Sequence, residues 1–385
     1  MFTKPRIPSH YYVWCEPPDS SGEESLHIVS HRRAIKLKGR AFAEFERLVI
    51  PLLDGRHTSE EIGSKVHDVF ALSDLETAFE LLADQNVLQE GDAESPTVDE
   101  LPQFAPQLNF FHELGCNSAE AQQRLNNASV TIFGMSGAGP ALAESLANSG
   151  IGCIRCVDAL PVAPTDLYLS SGFSTSDLGS PRAIAIQRHF APRFPQSRFE
   201  TVTTDLSSDE GVSSAAERSD YIASCLDAGQ SSLLYKLNRV CLQTGIRWTS
   251  CALKGTEIII GPTVYPRFTP CYLCYKMRVV ACAGNPEDAF AFEKLLDQRK
   301  HDDSSRCENL AIGASLAANF LALEIVRDLI GLSPVITAGK VIIFNLLDLT
   351  STKHVVLRKP WCPACFPLGT TDVNRSAATC ATEHP

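Results

Sequence analysis

The chain has 385 residues, 44% of them hydrophobic and 21% charged, with a formal net charge of −11 at pH 7. That is enough apolar material for one large domain and a small one, while the acidic balance argues against a nucleic-acid binder, which needs clustered positive charge. No apolar run reaches the ~18 residues of a membrane-spanning helix, and Met1–His10 is too polar for a signal peptide, so the chain is expected in the cytoplasm with no membrane association.

In chain order, Tyr11–Trp14, Leu26–Val29 and Arg33–Leu37 alternate or run apolar like short strands. The best local basic patch, His31-Arg32-Arg33 with Lys36, Lys38 and Arg40, falls on the third of them. Phe42, Phe45, Leu48, Val49 and Leu52 then share one face of a helix that Asp54-Gly55 ends. Thr58-Ser59-Glu60-Glu61 starts a second helix, its acidic residues placed where the helix dipole favours them. A third helix begins near Ser73 with Leu75, Ala78, Phe79 and Leu82 inward, and Val87-Leu88 closes as a strand. Strands, three helices and a short strand make a small α+β winged-helix layout over residues 8–90. Such layouts often bind DNA, but Asp74, Glu76, Glu80 and Asp84 on the third helix oppose a phosphate backbone. Residues 91–107 are acidic and Pro-rich and read as a linker. Residues 369–385, rich in Thr, Ala and Ser, read as a flexible tail in which Cys380 has no evident role.

Over residues 108–368 short apolar strands alternate with helices, which implies a doubly wound, mostly parallel α/β sheet. The strand Ser129–Phe133 runs into Gly134-Met135-Ser136-Gly137-Ala138-Gly139 and then a helix, and the next strand ends in Asp158. Glycines at a helix N-terminus let backbone N–H groups approach a phosphate, and such an Asp can accept from a ribose hydroxyl. The spacing is G-x-x-G-x-G, so a purely structural turn is the competing reading.

Fourteen cysteines are too many to pass over. Cys153, Cys156, Cys225, Cys241 and Cys251 lie in apolar stretches, where free cysteine acts as a small hydrophobe. Cys271, Cys274, Cys362 and Cys365 form two C-x-x-C pairs beside Pro270, Pro360 and Pro363, a set suited to tetrahedral Zn²⁺. Two unrelated pairs, or a redox pair, are the alternatives. Cys307 precedes a long apolar helix, near Lys294, Arg299, Lys300 and Arg306; such charges lower a thiol's pKa. It is either a candidate catalytic cysteine or an idle loop thiol.

The stretch from Ala119 to Leu368 resembles the E1-like ThiF/MoeB family. The resemblance rests on Gln122–Leu125, the Gly-rich turn, Val157-Asp158, Asp177–Ala183, Cys225-Leu226-Asp227 and the C-x-x-C pairs. It implies a Rossmann-like E1 domain that binds ATP·Mg²⁺ at Gly134, Gly137, Gly139, Asp158, Arg182 and Asp227 and adenylates a carboxylate. It also implies a structural zinc and pairing into a homodimer. The chain departs from the family pattern at Leu160, where a second acidic residue is usual, and at Asp166–Ser170, where Leu169 replaces a phosphate-directed arginine. Leucine supplies neither the charge nor the planar fork, which argues against adenylation.

Leu53–Ile62 (Leu-Asp-Gly-x-x-Thr-x-x-Glu-Ile), with a last helix leading to Asn86-Val87-Leu88, resembles the peptide-binding recognition element of ribosomal-peptide modification systems. This implies that a leader peptide adds as a strand along Arg33, Ala34, Ile35, Lys36 and Leu37 and packs against Leu75, Phe79 and Leu82. The alternative is that these residues form the small domain's own core. Together the halves resemble the ThiF-like partner proteins of YcaO cyclodehydratases. The expectation is a non-catalytic component that binds a precursor leader and presents it to a separate YcaO enzyme for thiazoline or oxazoline formation. The competing expectation is an active E1-like enzyme that adenylates a peptide carboxylate, with Cys307 as acyl acceptor.

Overall fold

The computed structural model describes residues 2–91, 101–226, 229–298, 310–332 and 335–366. The chain divides into two compact units, Met1–Gln123 and Arg124–Pro385.

The first unit contains β1 (Pro5–Arg6), β2 (Tyr12–Glu16), β3 (Glu24–Val29), β4 (Ala34–Gly39), α1 (Phe42–Leu48), α2 (Ser59–Val66), α3 (Leu72–Asp84), β5 (Gln89–Glu90) and α4 (Ala105–Glu113); α5 (Ser118–Asn127) follows. Strands β2, β3 and β4 form an antiparallel sheet in that order, and β1 pairs with β5. A full capping box starts α2: the Thr58 hydroxyl accepts from the Glu61 N–H at 3.1 Å and the Glu61 carboxylate accepts from the Thr58 N–H at 2.9 Å. The core gathers Leu26 and Ile28 from β3, Phe45 and Val49 at α1, Ile62 from α2 and Leu75, Phe79 and Leu82 from α3. Part of the stretch read as a linker is helical. Pro102–Phe104 is a 3₁₀ turn and α4 starts at Ala105, with Pro106 in its first turn, where no intrahelical N–H is needed.

The second unit contains β6 (Ser129–Phe133), α6 (Ala138–Asn148), β7 (Cys153–Val157), α7 (Asp166–Leu169), α8 (Arg182–Phe190), β8 (Arg198–Thr201), α9 (Asp209–Ala216), β9 (Tyr221–Ser224), α10 (Ser231–Thr244), β10 (Trp248–Lys254), β11 (Glu257–Ile260), α11 (Tyr272–Ala281), α12 (Pro286–Gln298), α13 (Ala311–Leu329), β12 (Lys340–Asn345) and β13 (Ser351–Val355). They build an eight-stranded sheet ordered β13-β12-β11-β10-β9-β6-β7-β8. Strands β10, β9, β6, β7 and β8 are parallel, whereas β11, β12 and β13 add antiparallel. The sheet is thus mixed. Strands β11 and β13 each follow a short turn, such as the one at Gly255 (φ +60°), and a short turn can only reverse a strand, whereas β12 returns to β11 after α11, α12 and α13.

Strand order reverses between β6 and β9, so the crevice of this sheet opens at the C-terminal ends of those two strands. The chain leaving β6 passes close to the chain leaving β9: a Cβ on Gly134 (φ +92°) would sit 2.6 Å from the Cys225 carbonyl oxygen.

Candidate functional site

Three places carry chemistry. The first is that crevice. The turn from Gly134 to Gly139 is buried throughout, and α6 starts behind Gly137 with no side-chain cap. A Cβ on Gly139 would lie 2.0 Å from the Gly134 carbonyl oxygen, so this glycine is required by packing whether or not a ligand binds. Asp158, just past β7, accepts from the Met135 N–H at 2.9 Å and from the Leu160 N–H at 2.9 Å. Both of its oxygens are thus used by the turn and by its own loop.

Arg182 opens α8 and lies buried in the same crevice. Its Nε donates to Asp166 Oδ2 at 2.8 Å, and its Nη1 lies 3.6 Å from Asp158 Oδ2. Asp166, 1% exposed, also accepts from the Ala163 N–H at 2.8 Å and from the Ser136 hydroxyl at 3.2 Å. Burial pushes the Asp158 carboxyl above the usual range, against the pull of Arg182 and the two backbone donors. The structure therefore brings Asp158, Arg182 and the Gly-rich turn together as the sequence suggested, and adds Asp166 and Ser136, which sequence reading did not single out. Leu169 ends α7, three residues beyond Asp166. Asp227 and Cys307 lie outside the described residues.

The second place is the thiol cluster. Cys271 and Cys274, at the start of α11, meet Cys362 and Cys365 beyond β13. All four are buried, with their sulfurs within 4.8 Å of one another. Cys271–Cys274 and Cys271–Cys362 are 3.8 Å apart and Cys274–Cys365 3.7 Å. Four thiolates at ~2.3 Å from a tetrahedral metal ion have sulfur–sulfur edges of about 3.8 Å, so the spacing fits a bound metal. Hydrogen bonds from the Cys271 and Cys365 thiols hold Cys274 well below the thiol range, and the Lys359 N–H adds a donor at 3.4 Å. Asn238 Oδ1 accepts from the Tyr272 N–H at 2.9 Å, fixing the helix start that carries the first pair. The other cysteines of apolar stretches (Cys153, Cys156, Cys225, Cys241, Cys251) are buried, and burial pushes the Cys156 thiol up to about 12.

The third place is the edge of the small sheet. Among the described residues β4 pairs only with β3. Its exposure alternates: Ala34, Lys36 and Lys38 are exposed, while Ile35 and Leu37 are half-buried against the core. Lys36 and His27 both reach the Glu16 carboxylate at 3.0 Å. Arg33 precedes the strand and donates to the Gln85 carbonyl at 3.2 Å. Leu75, Phe79 and Leu82 are no more than 6% exposed. Their side chains belong to the unit's own core, against which Ile35 and Leu37 also pack.

The same unit thus holds a strand-order reversal beside a glycine-rich turn and a four-cysteine cluster drawn from the start of α11 and the segment after β13. The ThiF family profile matches residues 104–364. The chain belongs to the ThiF family. Among similar proteins, the sulfur carrier protein adenylyltransferase of Thermus thermophilus is 22% identical over 271 residues, covering 70% of this chain and 92% of that one. The molybdopterin-synthase adenylyltransferase of Escherichia coli is 21% identical over 249 residues, covering 64% of this chain and 90% of that one. Among solved structures, Escherichia coli MccB with MccA-N7isoASN superposes with a TM-score of 0.67 at 18% identity, covering 94% of this chain and 99% of that one. The match to MccB spans nearly the whole chain, so the similarity in fold extends to residues before the ThiF-family match. Among the described residues no helix is long and apolar enough to cross a membrane.

Proposed function

We propose that this ThiF-family chain captures the leader of a ribosomally made precursor peptide along β4 and presents it to a separate YcaO cyclodehydratase, which forms the thiazoline or oxazoline. The carrying observation is the β4 edge, whose outward N–H and C=O groups pair with no strand among the described residues. A strand added there gains main-chain hydrogen bonds, while half-buried Ile35 and Leu37 offer alternate-residue apolar contacts. Arg33, Lys36 and Lys38 lie along this edge, each facing a carboxylate of the chain (Glu113, Glu16 and Asp19) whose place an acidic leader would take. In this reading residues 8–90 act as a winged-helix recognition element, with Leu75, Phe79 and Leu82 supporting the strand from behind. Tethering raises the effective concentration of the core peptide at the partner enzyme, so binding becomes rate without chemistry in this chain.

The thiol cluster is read as a structural Zn²⁺ site: four sulfur ligands leave no open position for substrate. The ThiF-family unit is read as the homodimerising part, and exposed Ile312, Phe320 and Leu323 on α13 supply apolar surface for a second copy. The chain is read as cytoplasmic.

The competing reading, an adenylating enzyme, draws on two named adenylyltransferases and on MccB, which has been solved with ATP and, as a microcin C7 biosynthetic enzyme, with N-formylated MccA. Against it stand Leu169 in place of the expected arginine and the engagement of Arg182 by two carboxylates. Fluorescence anisotropy with the labelled leader encoded beside the gene tests capture. The paired substitution Ile35→Glu and Leu37→Glu is expected to weaken binding about a hundredfold, with a lower thermal midpoint because both side chains also pack against the core. Unchanged affinity would sink the β4 reading. ATP·Mg²⁺ titrated calorimetrically into the wild type is expected to give no saturable heat, whereas saturable binding with pyrophosphate exchange would install the adenylating reading instead.

A further inference from the structure

We infer that Asp166 is a built-in counter-anion that occupies the phosphate position of the crevice and is the residue that makes it reject triphosphates. The inference rests on the non-adenylating reading above and names the side chain responsible.

A helix that starts behind a glycine-rich turn at a strand-order reversal is a place where an anion is favoured, through backbone N–H groups and the helix dipole. A phosphate bound there would seek a nearby hydroxyl and a cationic fork. In this crevice a hydroxyl of the turn, Ser136 Oγ, and the guanidinium of Arg182 both point to the Asp166 carboxylate, at 3.2 Å and 2.8 Å. A third donor, the Ala163 N–H at 2.8 Å, pins the same oxygen that Arg182 contacts. The carboxylate is 1% exposed, so bulk water does not reach it.

The charge balance points the same way. Arg182 contributes +1, while Asp158 and Asp166 together contribute −2. The described part of the cluster is therefore net negative before any ligand arrives. A triphosphate would have to displace a buried carboxylate from its guanidinium and then sit beside it, and like charges in a low-dielectric crevice repel strongly. The glycines do not contradict this, because Gly134 and Gly139 are required by close backbone approach alone. The nucleotide-type turn is kept by packing, and its anion is supplied from within the chain.

Asp166→Asn tests the idea, since it keeps the shape and the hydrogen-bond acceptor but removes the charge and frees one face of Arg182. Equilibrium dialysis would use ATP·Mg²⁺, tripolyphosphate and adenosine as separate probes. The wild type is expected to bind none of them at millimolar concentration. Asp166→Asn is expected to bind ATP·Mg²⁺ and tripolyphosphate about tenfold tighter or more, with no gain for adenosine, and the added Arg182→Gln is expected to abolish the gain. A folded Asp166→Asn no tighter than the wild type overturns the inference, as does a gain that survives Arg182→Gln. If Asp166→Asn does not fold, the wild type still decides: thermal stabilisation by millimolar tripolyphosphate would show that the anion position is open. A silent wild type with a silent, folded variant rejects Asp166 alone, whereas a wild type that binds and turns over ATP rejects the non-adenylating reading. Leader affinity measured on the same variant reports on β4 independently.

Discussion

The crevice and the thiol cluster lie in the same unit and both bury polar groups, yet those groups are partnered differently. Among the described residues of the crevice each charged group is answered by another group of the chain: Arg182 by Asp158 and Asp166, Asp158 by two backbone N–H groups, Asp166 by Ser136 and Ala163. In the cluster the four sulfurs have mainly one another, plus one N–H from Lys359. Thiols are weak hydrogen-bond partners, so the cluster is left with capacity that a metal ion would take up.

The contrast can be broken or sharpened at three points. The largest effect is expected at the cluster. Metal binding to four thiolates contributes on the order of 10 kcal/mol, comparable to the whole stability of a domain. Cys362→Ser is therefore expected to unfold the second unit at 37 °C, and metal analysis of the purified protein should find one equivalent that a strong chelator removes together with cooperative melting. Melting unaffected by chelation would break the comparison. Next comes the crevice: Arg182→Ala leaves two buried carboxylates facing each other and is expected to cost about 3–5 kcal/mol in urea unfolding. A cost near zero would mean that the cluster is not closed as described.

The smallest effect calibrates the others with a single buried ring in the first unit. Burial, aided by His10 and Arg33, lowers His112 to about 4. Its folded pKa is depressed, so the unfolded chain takes up the proton first. The stability it contributes is present above the unfolded value near 6.5 and is lost as pH falls from there toward 4. His112→Gln is expected to flatten the pH dependence of urea unfolding across that window by about 2 kcal/mol. An unchanged slope would assign the acid sensitivity to other groups.

How much of this could be read from the sequence follows the range of the interactions. The Gly-rich turn, the Thr58 capping box and the C-x-x-C spacings are local, because a turn or a chelate fixes residues a few positions apart. The helical period of Leu75, Phe79 and Leu82 correctly marked one face, but periodicity does not say whether a face meets a core or a partner; here it meets the core. Pro102 and Pro106 suggested a break, although proline is at home in the first turn of a helix, as α4 demonstrates. The pairing of Asp166 with Arg182 spans 16 residues and two elements and depends on how α7 and α8 close over the turn. Its only trace in the sequence is an acidic residue opening the degenerate segment that ends in Leu169 and Ser170.

One feature of the cluster reaches beyond stability. Cys271 and Cys362 are 91 positions apart, and the chain between them makes α11, α12, α13 and the last two strands. With a metal seated, that length of chain is a closed ring. A protease cutting the exposed turn near Gly284, between α11 and α12, would open the ring without releasing either end. A seated metal would then add a second tie between the two pieces, beside the pairing of β12 with β11.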